Sequence, residues 1–298
     1  MDETKKIWMD GKLIDWKDAK THVLTHSLHY GGGVFEGIRF YKTDKGTAVF
    51  RLKEHVERLF KSAESVEMAI PFTQEEIFSA IVKTVKVNAV EYGYIRPIAF
   101  FGYGKMGLNP KGAPVNVAIA CWPWGAYLGD EAVKVKTSSY MRIHPKSTKA
   151  DAKICGHYVN SILASIEAKN AGFEEAILLD YQGNVAEGPG ENIFMVKGGK
   201  LITPALGNIL PGITRSSVFS IARDIGIAVE ERKITPQELK GADELFFTGT
   251  AAEVSPIGKL DDKTIGNGTI GPITAKIKQE FFSRIKKAEP SGWFALVK

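Results

Sequence analysis

The sequence predicts a protein of the α/β class with two domains, the first of which has an α+β-like pattern. Its 298 residues suit two domains or one large one. A hydrophobic content of 44% and a charged content of 24% are ordinary for a globular protein. The pattern changes at an aromatic, glycine-rich stretch near residue 125. We therefore predict a small N-terminal α/β domain (1–122), an interdomain linker (123–132) and a large C-terminal domain (133–298).

The elements of the first domain begin with a hairpin, because Asp10-Gly11 separates the short apolar runs IWM and KLI. GVFEGIRFYK and TAVFRL are predicted as further strands. Apolar residues at helical spacing predict a helix over Leu52–Met68, and Thr73 with Glu76 forms a capping box for a second helix. YIRPIAFFGYG and VNVAIAC complete an antiparallel sheet covered by helices.

The second domain starts with a strand, VKVKTSS, and continues with a helix over Tyr158–Asn170 that ends before Gly172. Short strands are predicted for AILLD, NVAE, NIFMVKGGKLITP and ELFFTGT. Ile213–Ile225 has helical spacing, and Thr235–Glu238 forms a capping box with proline at the first helical position.

Several functional classes are not indicated. The net charge is +5, but the lysines are scattered, so we expect no nucleic-acid partner. No apolar run approaches the roughly 20 residues that cross a bilayer, so no membrane role is expected. Cys121 and Cys155 lie in apolar surroundings, which indicates a reducing compartment, and we expect a cytoplasmic location. His26 and His29 lack an obvious third ligand, so we expect no metal site.

A glycine motif in the first domain resembles a dinucleotide-binding loop. Gly102, Gly104 and Gly107 match GxGxxG after a predicted strand. Such a loop must open a helix whose N-terminus binds the pyrophosphate, and Asn109-Pro110 would break that helix within a turn. We therefore expect no nicotinamide cofactor.

Lys153 is the lysine best suited to act as a nucleophile. A lysine that forms a Schiff base must be partly desolvated, so that its amine is neutral. Of three neighbouring lysines, Lys146, Lys149 and Lys153, only the last runs into an apolar, small-residue segment, Ile154-Cys155-Gly156. Considered alone, Lys153 is better interpreted as a surface lysine, because it lies near Lys146 and Lys149.

Glu187 opens the glycine-rich turn EGPGENIF between two predicted strands. Such an acid is usually solvated, but a buried one could keep a pyridine nitrogen protonated. Glu191 is the rival carboxylate, and bonds to nearby backbone amides suit it better.

Two segments have the pattern of anion sites. LPGIT, Leu210–Thr214, precedes a helix, so the amides of Ile213 and Thr214 could bind a phosphate; the alternative is a turn with a threonine cap. GTAA, Gly249–Ala252, repeats the pattern after a strand. A reactive amine, a fixed acid and two phosphate sites together predict pyridoxal phosphate.

Three arginines of the first domain are candidates for anion recognition. Arg39 and Arg96 lie in predicted strands, where arginine either forms structural ion pairs or binds a substrate carboxylate. Arg58 lies on the polar side of the first long helix and is either solvated or able to reach a phosphate.

The motifs resemble one family in their order as well as their residues. HSLHYGGGVFEGIR, EHVERL, YIRP, KMGLNP, PWGAYLG, EGPGEN, LPGITR and GTAAEVSP, spread from Trp8 to Phe282, are similar to those of branched-chain amino acid aminotransferases. These are fold type IV pyridoxal-phosphate enzymes. The resemblance implies a two-domain fold with the cofactor between domains and a large cofactor-binding domain. It also implies a homodimer that shares site residues, some members forming hexamers as trimers of dimers.

The resemblance implies roles for individual residues. Lys153 would be the catalytic Schiff-base lysine, Glu187 would bind the pyridine nitrogen and Tyr158 the ring hydroxyl. The remaining cofactor-binding residues would be Arg58, Leu210, Ile213, Thr214 and Thr250. The substrate carboxylate would meet Tyr94, Arg96 and the amides of Thr250 and Ala251. Arg39 is counted with the substrate-binding residues. The side-chain pocket would comprise Tyr30, Phe35, Gly37, Leu108, Trp124 and Tyr127, with Tyr30 and Leu108 from the partner subunit.

The implied reaction is transamination between L-leucine, L-isoleucine or L-valine and 2-oxoglutarate, giving 2-oxo acids and L-glutamate in branched-chain amino acid biosynthesis. Gly32-Gly33 and His157 depart from the usual family residues, and the glycines could loosen the pocket entrance. The same fold also hosts D-amino acid transaminases, amine transaminases and aminodeoxychorismate lyase. A non-catalytic protein that binds a phosphate ligand is an alternative of another class.

Overall fold

The computed structural model describes residues 2–125, 127–129 and 131–297, in which helices and strands are mixed along the chain. The predicted α/β class is therefore confirmed. The strands are β1 (Lys6–Met9), β2 (Lys12–Asp15), β3 (Gly33–Phe35), β4 (Ile38–Thr43), β5 (Gly46–Phe50), β6 (Gly93–Phe101), β7 (Val115–Trp122), β8 (Val133–Met141), β9 (Glu175–Leu179), β10 (Val185–Glu187), β11 (Asn192–Lys197), β12 (Lys200–Thr203), β13 (Val229–Glu231), β14 (Glu244–Gly249), β15 (Glu253–Leu260), β16 (Lys263–Thr264) and β17 (Phe294–Leu296). The helices are α1 (His26–Tyr30), α2 (Leu52–Glu64), α3 (Gln74–Asn88), α4 (Tyr158–Asn170), α5 (Ile213–Asp224), α6 (Pro236–Lys240) and α7 (Pro272–Lys287).

The chain forms two compact units. The first comprises Met1–Gly125, Ala152–His157 and Arg284–Lys298; the second comprises Ala126–Asp151 and Tyr158–Ser283. The domain limits drawn from the sequence, 1–122, 123–132 and 133–298, stay a prediction. The predicted limits place residues 152–157 and 284–298 in the C-terminal domain, whereas the structure groups them with the first unit. These segments pair with β3 and β5, and no local sequence signal indicates such long-range pairing.

The sheet of the first unit is antiparallel, with the strand order β17-β5-β4-β6-β7-β1-β2 and β3 also paired with β6. The predicted hairpin is present: Ile7 pairs with Ile14 across Asp10 and Gly11, both of which have positive φ. Helix α2 packs on β3, and α3 packs on β1 and β7. The core between them includes Val34, Ile38, Phe40, Val49, Leu59, Ile77, Ile81, Ile95 and Ile119.

One predicted strand of this sheet is interrupted. GVFEGIRFYK forms β3 and β4, which are separated by Glu36 and Gly37. A Cβ atom on Gly37 would lie 1.8 Å from the Tyr94 hydroxyl oxygen, so the backbone can pass here only as glycine. The predicted helix over Leu52–Met68 is also shorter, ending at Glu64. The capping box that opens α3 is confirmed.

The GxGxxG segment lies in the turns and coil between β6 and β7. The described residues 102–114 contain no helix, so the motif does not open one. The helix that a dinucleotide-binding loop would open is thus not formed by these residues, and the absence of a nicotinamide cofactor stays a prediction.

The sheet of the second unit mixes both strand directions, with the order β10-β9-β8-β15-β14-β11-β12-β13 and β16 paired with β15. Strand β8 runs parallel to β9 and β15, and β12 runs parallel to β13. The predicted capping box at Thr235 opens α6, and Gly172 follows α4 with φ +81°. The core contains Val135, Ile177, Ile193, Met195, Leu245, Phe247 and Ile257.

Helix α4 has the predicted limits, but its large apolar residues do not face the core. Its buried side chains are Ala164 and Ala168, and its exposed apolar side chains are Val159, Ile162, Leu163 and Ile166. Their relative exposures lie between 40% and 60%, which leaves an apolar stripe on the surface. Across the described ranges, none of the helices is both long and apolar enough to cross a membrane.

Candidate active site

The first unit fixes Lys153 by its backbone. Its carbonyl accepts a hydrogen bond from the Phe35 amide at 3.1 Å, and its own amide donates to Ser62 Oγ at 3.0 Å. The next residue, Ile154, forms a bridge with Val34 of β3. The Lys153 side chain therefore leaves from a segment held against the sheet.

Lys153 is the half-buried member of the three neighbouring lysines, whereas Lys146 and Lys149 are exposed. Its Nζ lies 4.9 Å from the centre of the Phe35 ring. Partial desolvation is the environment that a nucleophilic amine requires. The position is consistent with the role predicted from the sequence.

Arg96 and Lys153 both lie against the Phe35 ring. Its guanidinium carbon is 4.7 Å from the Phe35 ring centre and 5.4 Å from that of Tyr94. The Arg96 Nε atom is buried and has no hydrogen-bond partner among the described residues. A buried donor of this kind is costly unless it meets an acceptor, which a substrate carboxylate would supply.

Tyr94 and Trp124 form the aromatic side of this region. Their ring centres are 4.7 Å apart, and the rings are close to perpendicular. The hydroxyl of Tyr94 fills the space beside Gly37, as described above. The structure thus brings together the predicted pocket residues Phe35, Gly37 and Trp124 with Tyr94 and Arg96.

Arg39 is held by backbone carbonyl groups. Its Nη1 and Nη2 donate to the carbonyl oxygens of Trp124 and Gly125 at 3.0 and 2.7 Å, and its side chain is buried. The guanidinium thus holds the backbone around Trp124. A direct bond from Arg39 to a substrate carboxylate stays a prediction, and the structure favours this indirect role.

Arg58 is not solvated on the helix surface. It forms a bidentate ion pair with Glu36, through Nε at 2.7 Å and Nη2 at 2.9 Å, and only 10% of its side chain is exposed. The solvated alternative is therefore wrong, because a buried acid partner turns the side chain inward.

The glycines of the HYGGG segment pack closely on the residues around Lys153. The Gly156 amide donates to the Gly31 carbonyl at 3.1 Å, and a Cβ on Gly31 would lie 2.8 Å from the Gly156 Cα. A Cβ on Gly33 would lie 3.0 Å from Cys155 Sγ. These contacts do not support the expected loosening, since the glycines permit close packing.

The second unit buries Glu187 among hydrogen-bond donors. Arg142 Nε donates to Oε1 at 2.6 Å, Asn192 Nδ2 donates to Oε2 at 3.0 Å, and the Leu210 amide lies 3.1 Å from Oε2. The side chain of Glu187 is 7% exposed. A buried carboxylate needs such partners to stay ionised, and an ionised acid is what a pyridinium nitrogen requires.

The last two residues of LPGIT, Ile213 and Thr214, already belong to α5. Gly212 is the N-cap residue and supplies no side-chain cap, so Ile213 and Thr214 occupy the first two helical positions. The alternative in which Thr214 caps the helix is therefore wrong. A Cβ on Gly212 would lie 1.9 Å from Asn192 Oδ1, so this turn is packed against the residues that hold Glu187.

The segment GTAA is a turn between antiparallel strands, β14 and β15, and not a helix N-terminus. A helix dipole therefore does not act here, and Thr250 and Ala251 can offer only backbone amides and the threonine hydroxyl. A Cβ on Gly249 would lie 3.2 Å from the Gly190 carbonyl, which places the turn beside EGPGEN. Glu191 accepts a hydrogen bond from the Gly190 amide at 3.0 Å, as expected for a structural carboxylate.

The remaining predicted residues lie in different surroundings. Tyr158 is half-buried at the first position of α4. Tyr127 is 42% exposed, and the partial burial of its hydroxyl, with smaller contributions from Glu175 and Glu191, raises its pKa to about 12. Tyr30 and Leu108 are 43% and 85% exposed.

Sequence reasoning missed three residues of these networks. Glu36 could have been noticed as a lone acid inside the apolar run GVFEGIRF. Asn192 belongs to EGPGEN, whose other polar residues were singled out. Arg142 gives no such signal, because it follows an ordinary strand 45 positions before Glu187.

The residues present fit pyridoxal phosphate. Lys153 offers a half-buried amine, Glu187 a buried carboxylate held by Arg142, and the uncapped α5 N-terminus suits a phosphate. The lysine amine suits the aldehyde, the carboxylate suits the pyridine nitrogen, and the helix N-terminus suits the phosphate.

Comparison with known proteins agrees with this fit. Residues 33–260 match the family described as amino-transferase class IV. The chain is 48% identical over 298 residues to a branched-chain-amino-acid aminotransferase of Pseudomonas aeruginosa, covering 98% of this chain and 97% of that protein. The crystal structure of Escherichia coli branched-chain amino acid aminotransferase has a TM-score of 0.97 at 40% identity, covering 99% of this chain and 100% of that chain. The T.th. enzyme of the same name, complexed with N-(5'-phosphopyridoxyl)-L-glutamate, has a TM-score of 0.97 at 44% identity, covering 100% of both chains.

Proposed function

Because this chain belongs to the class IV aminotransferases, we propose that it is a pyridoxal-phosphate-dependent branched-chain amino acid aminotransferase. It transfers the amino group of L-leucine, L-isoleucine or L-valine to 2-oxoglutarate. The proposal is supported by the named relatives, which align over nearly the whole chain. The observation that carries it is the half-buried Lys153, which is fixed on β3 beside Phe35 and Arg96.

When bound, pyridoxal phosphate supplies an aldehyde and an electron-withdrawing ring that stabilises negative charge at the substrate Cα. Lys153 would be the covalent attachment point, and its Nζ would carry the proton to and from Cα. Glu187 would keep the ring nitrogen protonated, and Arg142 would keep Glu187 ionised. Tyr158 would bind the ring hydroxyl.

Phosphate binding would combine backbone and side-chain donors. The amides of Ile213 and Thr214 at the uncapped start of α5 suit a dianion, because the helix dipole favours negative charge there. Arg58 would add a guanidinium. Leu210 and Thr250 would complete the cofactor-binding set.

Substrate recognition would use the region around Arg96. Its buried Nε supports a carboxylate partner, assisted by the Tyr94 hydroxyl and the amides of Thr250 and Ala251. Phe35, Gly37, Trp124 and Tyr127 would form an apolar pocket with a hydroxyl at its edge. Such a pocket suits both an aliphatic side chain and glutamate.

A homodimer is the proposed assembly, with Tyr30 and Leu108 completing the partner's pocket. The 85% exposure of Leu108 and the apolar stripe on α4 support an association surface, because large exposed apolar patches usually meet another chain. Assembly of dimers into a hexamer, and a cytoplasmic location, stay expectations.

The test is a half-reaction survey that follows the absorbance of the bound cofactor with a panel of L- and D-amino acids. L-leucine, L-isoleucine and L-valine should be good donors, with 2-oxoglutarate as the preferred acceptor. Differences among the three should be modest, since one methylene in an apolar pocket is worth about 1–3 kcal/mol. D-amino acids should react slowly, because inversion directs the Cα hydrogen away from Lys153 while the carboxylate stays anchored.

Two variants distinguish recognition of the substrate carboxylate from recognition of the substrate side chain. Arg96→Ala should weaken turnover of every amino acid, whereas Phe35→Ala should mainly reorder the aliphatic donors. If D-alanine reacts faster than L-leucine, the branched-chain assignment fails while the cofactor chemistry stands. Release of pyruvate from aminodeoxychorismate without a second oxo acid would instead identify a lyase.

A further inference from the structure

Within helix α1, the buried side chain is that of His26, which is only 2% exposed. Its ring centre lies 4.6 Å from that of Tyr30, four positions later on the same side of the helix. A second aromatic neighbour, Phe101, meets it edge-on at 5.8 Å. His26 therefore contacts Tyr30 directly, which is one of the two exposed residues predicted to complete a partner's pocket.

The other exposed residue, Leu108, belongs to a loop of residues 102–114, named here the Leu108 loop. His26 Nε2 lies 2.7 Å from the Gly107 carbonyl oxygen. A carbonyl oxygen only accepts hydrogen bonds, so Nε2 carries the hydrogen and donates it. The His26 amide also donates to the Gly102 carbonyl at 3.1 Å. His26 thus holds the loop both at its start and directly beside Leu108.

The other ring nitrogen of His26 explains why this bond matters. Nδ1 is buried and has no hydrogen-bond partner among the residues that the structure describes. A buried nitrogen without a partner costs free energy, whereas an apolar side chain beside Tyr30 and Phe101 would avoid that cost. The bond from Nε2 to the loop is therefore what an imidazole supplies here and an apolar side chain would not.

The Leu108 loop has space beside it. Residues 109–111 line a cavity of about 850 Å³, together with residues of the segment that follows α2. Within the loop, Lys105 Nζ donates to the Lys111 carbonyl, and the Gly102 amide closes the base by donating to Pro114 at 2.7 Å. These bonds shape the loop but do not tie it to α1, so the bond from His26 restrains its position.

We propose that His26 is a positioning residue for recognition of the substrate side chain. It holds the Leu108 loop at a fixed position relative to Tyr30 and touches no substrate itself. The inference rests on the proposed function, in which Tyr30 and Leu108 complete the pocket of the partner subunit. A pocket wall that is fixed before the substrate arrives lowers the ordering cost of binding, so the effect should depend on the length of the substrate side chain.

The variants remove the donor and keep the ring contacts. His26→Phe retains an aromatic ring beside Tyr30, and His26→Leu replaces it if the phenylalanine variant does not fold. His29→Phe is the matched control: His29 lies on the same helix, and its Nε2 is 2.9 Å from the Val23 carbonyl, but the residue is exposed. Leu108→Ala and the double variant His26→Phe/Leu108→Ala test whether His26 acts through Leu108.

Single-turnover half-reactions of the full-length holoenzyme compare L-leucine with L-2-aminobutyrate, which has a shorter side chain. His26→Phe should lower the preference for L-leucine about tenfold, the effect of roughly one misplaced methylene contact. The loss should lie in the apparent dissociation constant of L-leucine and not in the maximal rate constant, because His26 is remote from the proton transfer. In the Leu108→Ala background, His26→Phe should have little further effect.

Proteolysis of the same holoenzymes gives a readout that does not depend on catalysis. Trypsin cleaves after lysine, and Lys105 and Lys111 both lie in the Leu108 loop. Cleavage at these two sites should be about two- to tenfold faster in His26→Phe, as for the loss of one hydrogen bond, and unchanged in His29→Phe. Peptide mapping identifies the sites, and the melting temperature of each variant is recorded as well.

Several results would overturn the inference. A lower melting temperature of His26→Phe with unchanged donor preference and unchanged cleavage would mark a purely structural role. Equal losses with both donors would show that side-chain recognition is not involved. A further tenfold loss in the double variant would show that His26 acts without Leu108, and the same changes in His29→Phe would show that the Nε2 bond to the loop is not the cause.

Failure of the proposed function gives a different result. An unaltered protein that transfers no amino group from L-leucine would refute the branched-chain assignment. The rates of tryptic cleavage would then still decide whether His26 holds the Leu108 loop.

Discussion

Individual residues in this protein take their chemical character from a few distant partners. Lys153 is an ordinary amine until β3 and Ser62 hold its backbone and Phe35 covers its side chain. Glu187 is an ordinary acid until Arg142 compensates its charge in a buried place. In both cases the surroundings decide whether the group is solvated or available for chemistry.

Lys153→Ala should abolish transamination and leave the fold intact, because the surrounding segment is held by backbone bonds that alanine also makes. Reduction with borohydride followed by peptide mapping should label Lys153. Lys149→Ala is the control, since Lys149 is exposed and should not affect the rate. Label on Lys149 or Lys146 would show that the attachment point is misassigned.

Glu187→Gln should keep the cofactor bound but slow proton transfer at the substrate Cα, because the ring nitrogen loses its acidic partner. The loss of one such charge-assisted bond should cost about 2–3 kcal/mol, or roughly 30- to 150-fold in rate. The measurement is the single-turnover half-reaction with L-leucine. Glu191→Gln should have a much smaller effect; an unchanged rate in Glu187→Gln would make Glu191 the next candidate.

At the scale of elements, helices position functional groups by their ends and by single faces. Helix α5 begins without a side-chain cap at Gly212, and α4 begins at Tyr158. Helix α4 is tied to β8 by Glu167, which accepts hydrogen bonds from Ser138 Oγ at 2.6 Å and Lys136 Nζ at 2.9 Å. Glu167 thus anchors, by polar contacts, the same helix that carries Tyr158 at its first position.

Glu167→Gln should lower the free energy of unfolding by about 1 kcal/mol at pH 7, since its bonds are partly solvated. The bond from Ser138, followed by that from Lys136, lowers the pKa of Glu167 from 4.5 to about 2. Its stabilisation is therefore complete above pH 4.5 and disappears as the pH falls toward 2. Urea unfolding of the unaltered protein and of Glu167→Gln should be measured between about pH 3 and 7. The difference between their free energies of unfolding should shrink below about pH 4.5. A difference in unfolding free energy that does not change with pH would contradict this assignment. Glu57→Gln is the control, because Glu57 belongs to an exposed ion pair.

At the scale of the whole molecule, the predicted pocket residues differ widely in exposure, and Leu108 is the most exposed of them at 85%. Tyr30 and Leu108 are exposed within one chain, whereas Phe35 and Tyr94 are buried. His26 Nε2 lies 2.7 Å from the Gly107 carbonyl, which ties the start of α1 to the loop that carries Leu108. The two exposed residues therefore belong to one connected surface, as a shared role in a partner's pocket requires.

Hybrid dimers test this sharing. If Tyr30 and Leu108 act in the partner's pocket, a Lys153→Ala chain paired with a Tyr30→Ala/Leu108→Ala chain should keep one normal site. Placing all three substitutions in one chain, opposite an unaltered chain, should lower kcat/KM for L-leucine about tenfold, because the lysine-bearing site receives the altered residues. The reverse pattern would show that both residues act within their own chain.

Local sequence signals were sufficient to predict the short-range features of the fold and the order of its motifs. Turn residues fixed the hairpin at Asp10-Gly11, and capping residues fixed the starts of α3 and α6, because these signals depend on neighbours within about four positions. The same local reasoning selected Lys153 and Glu187, each by the short segment around it.

The partners of these residues became apparent only in the folded chain. The pairs Glu36–Arg58, Arg142–Glu187 and Arg39 with the Gly125 carbonyl span 22, 45 and 86 positions, and no periodicity encodes such contacts. The sequence also did not indicate which side of α4 is buried. Alanine and the large aliphatic residues are both apolar, so the buried side depends on how the helix packs in the folded chain. Charge compensation and burial are properties of the assembled sheets and helices, so they appear only when distant segments come together.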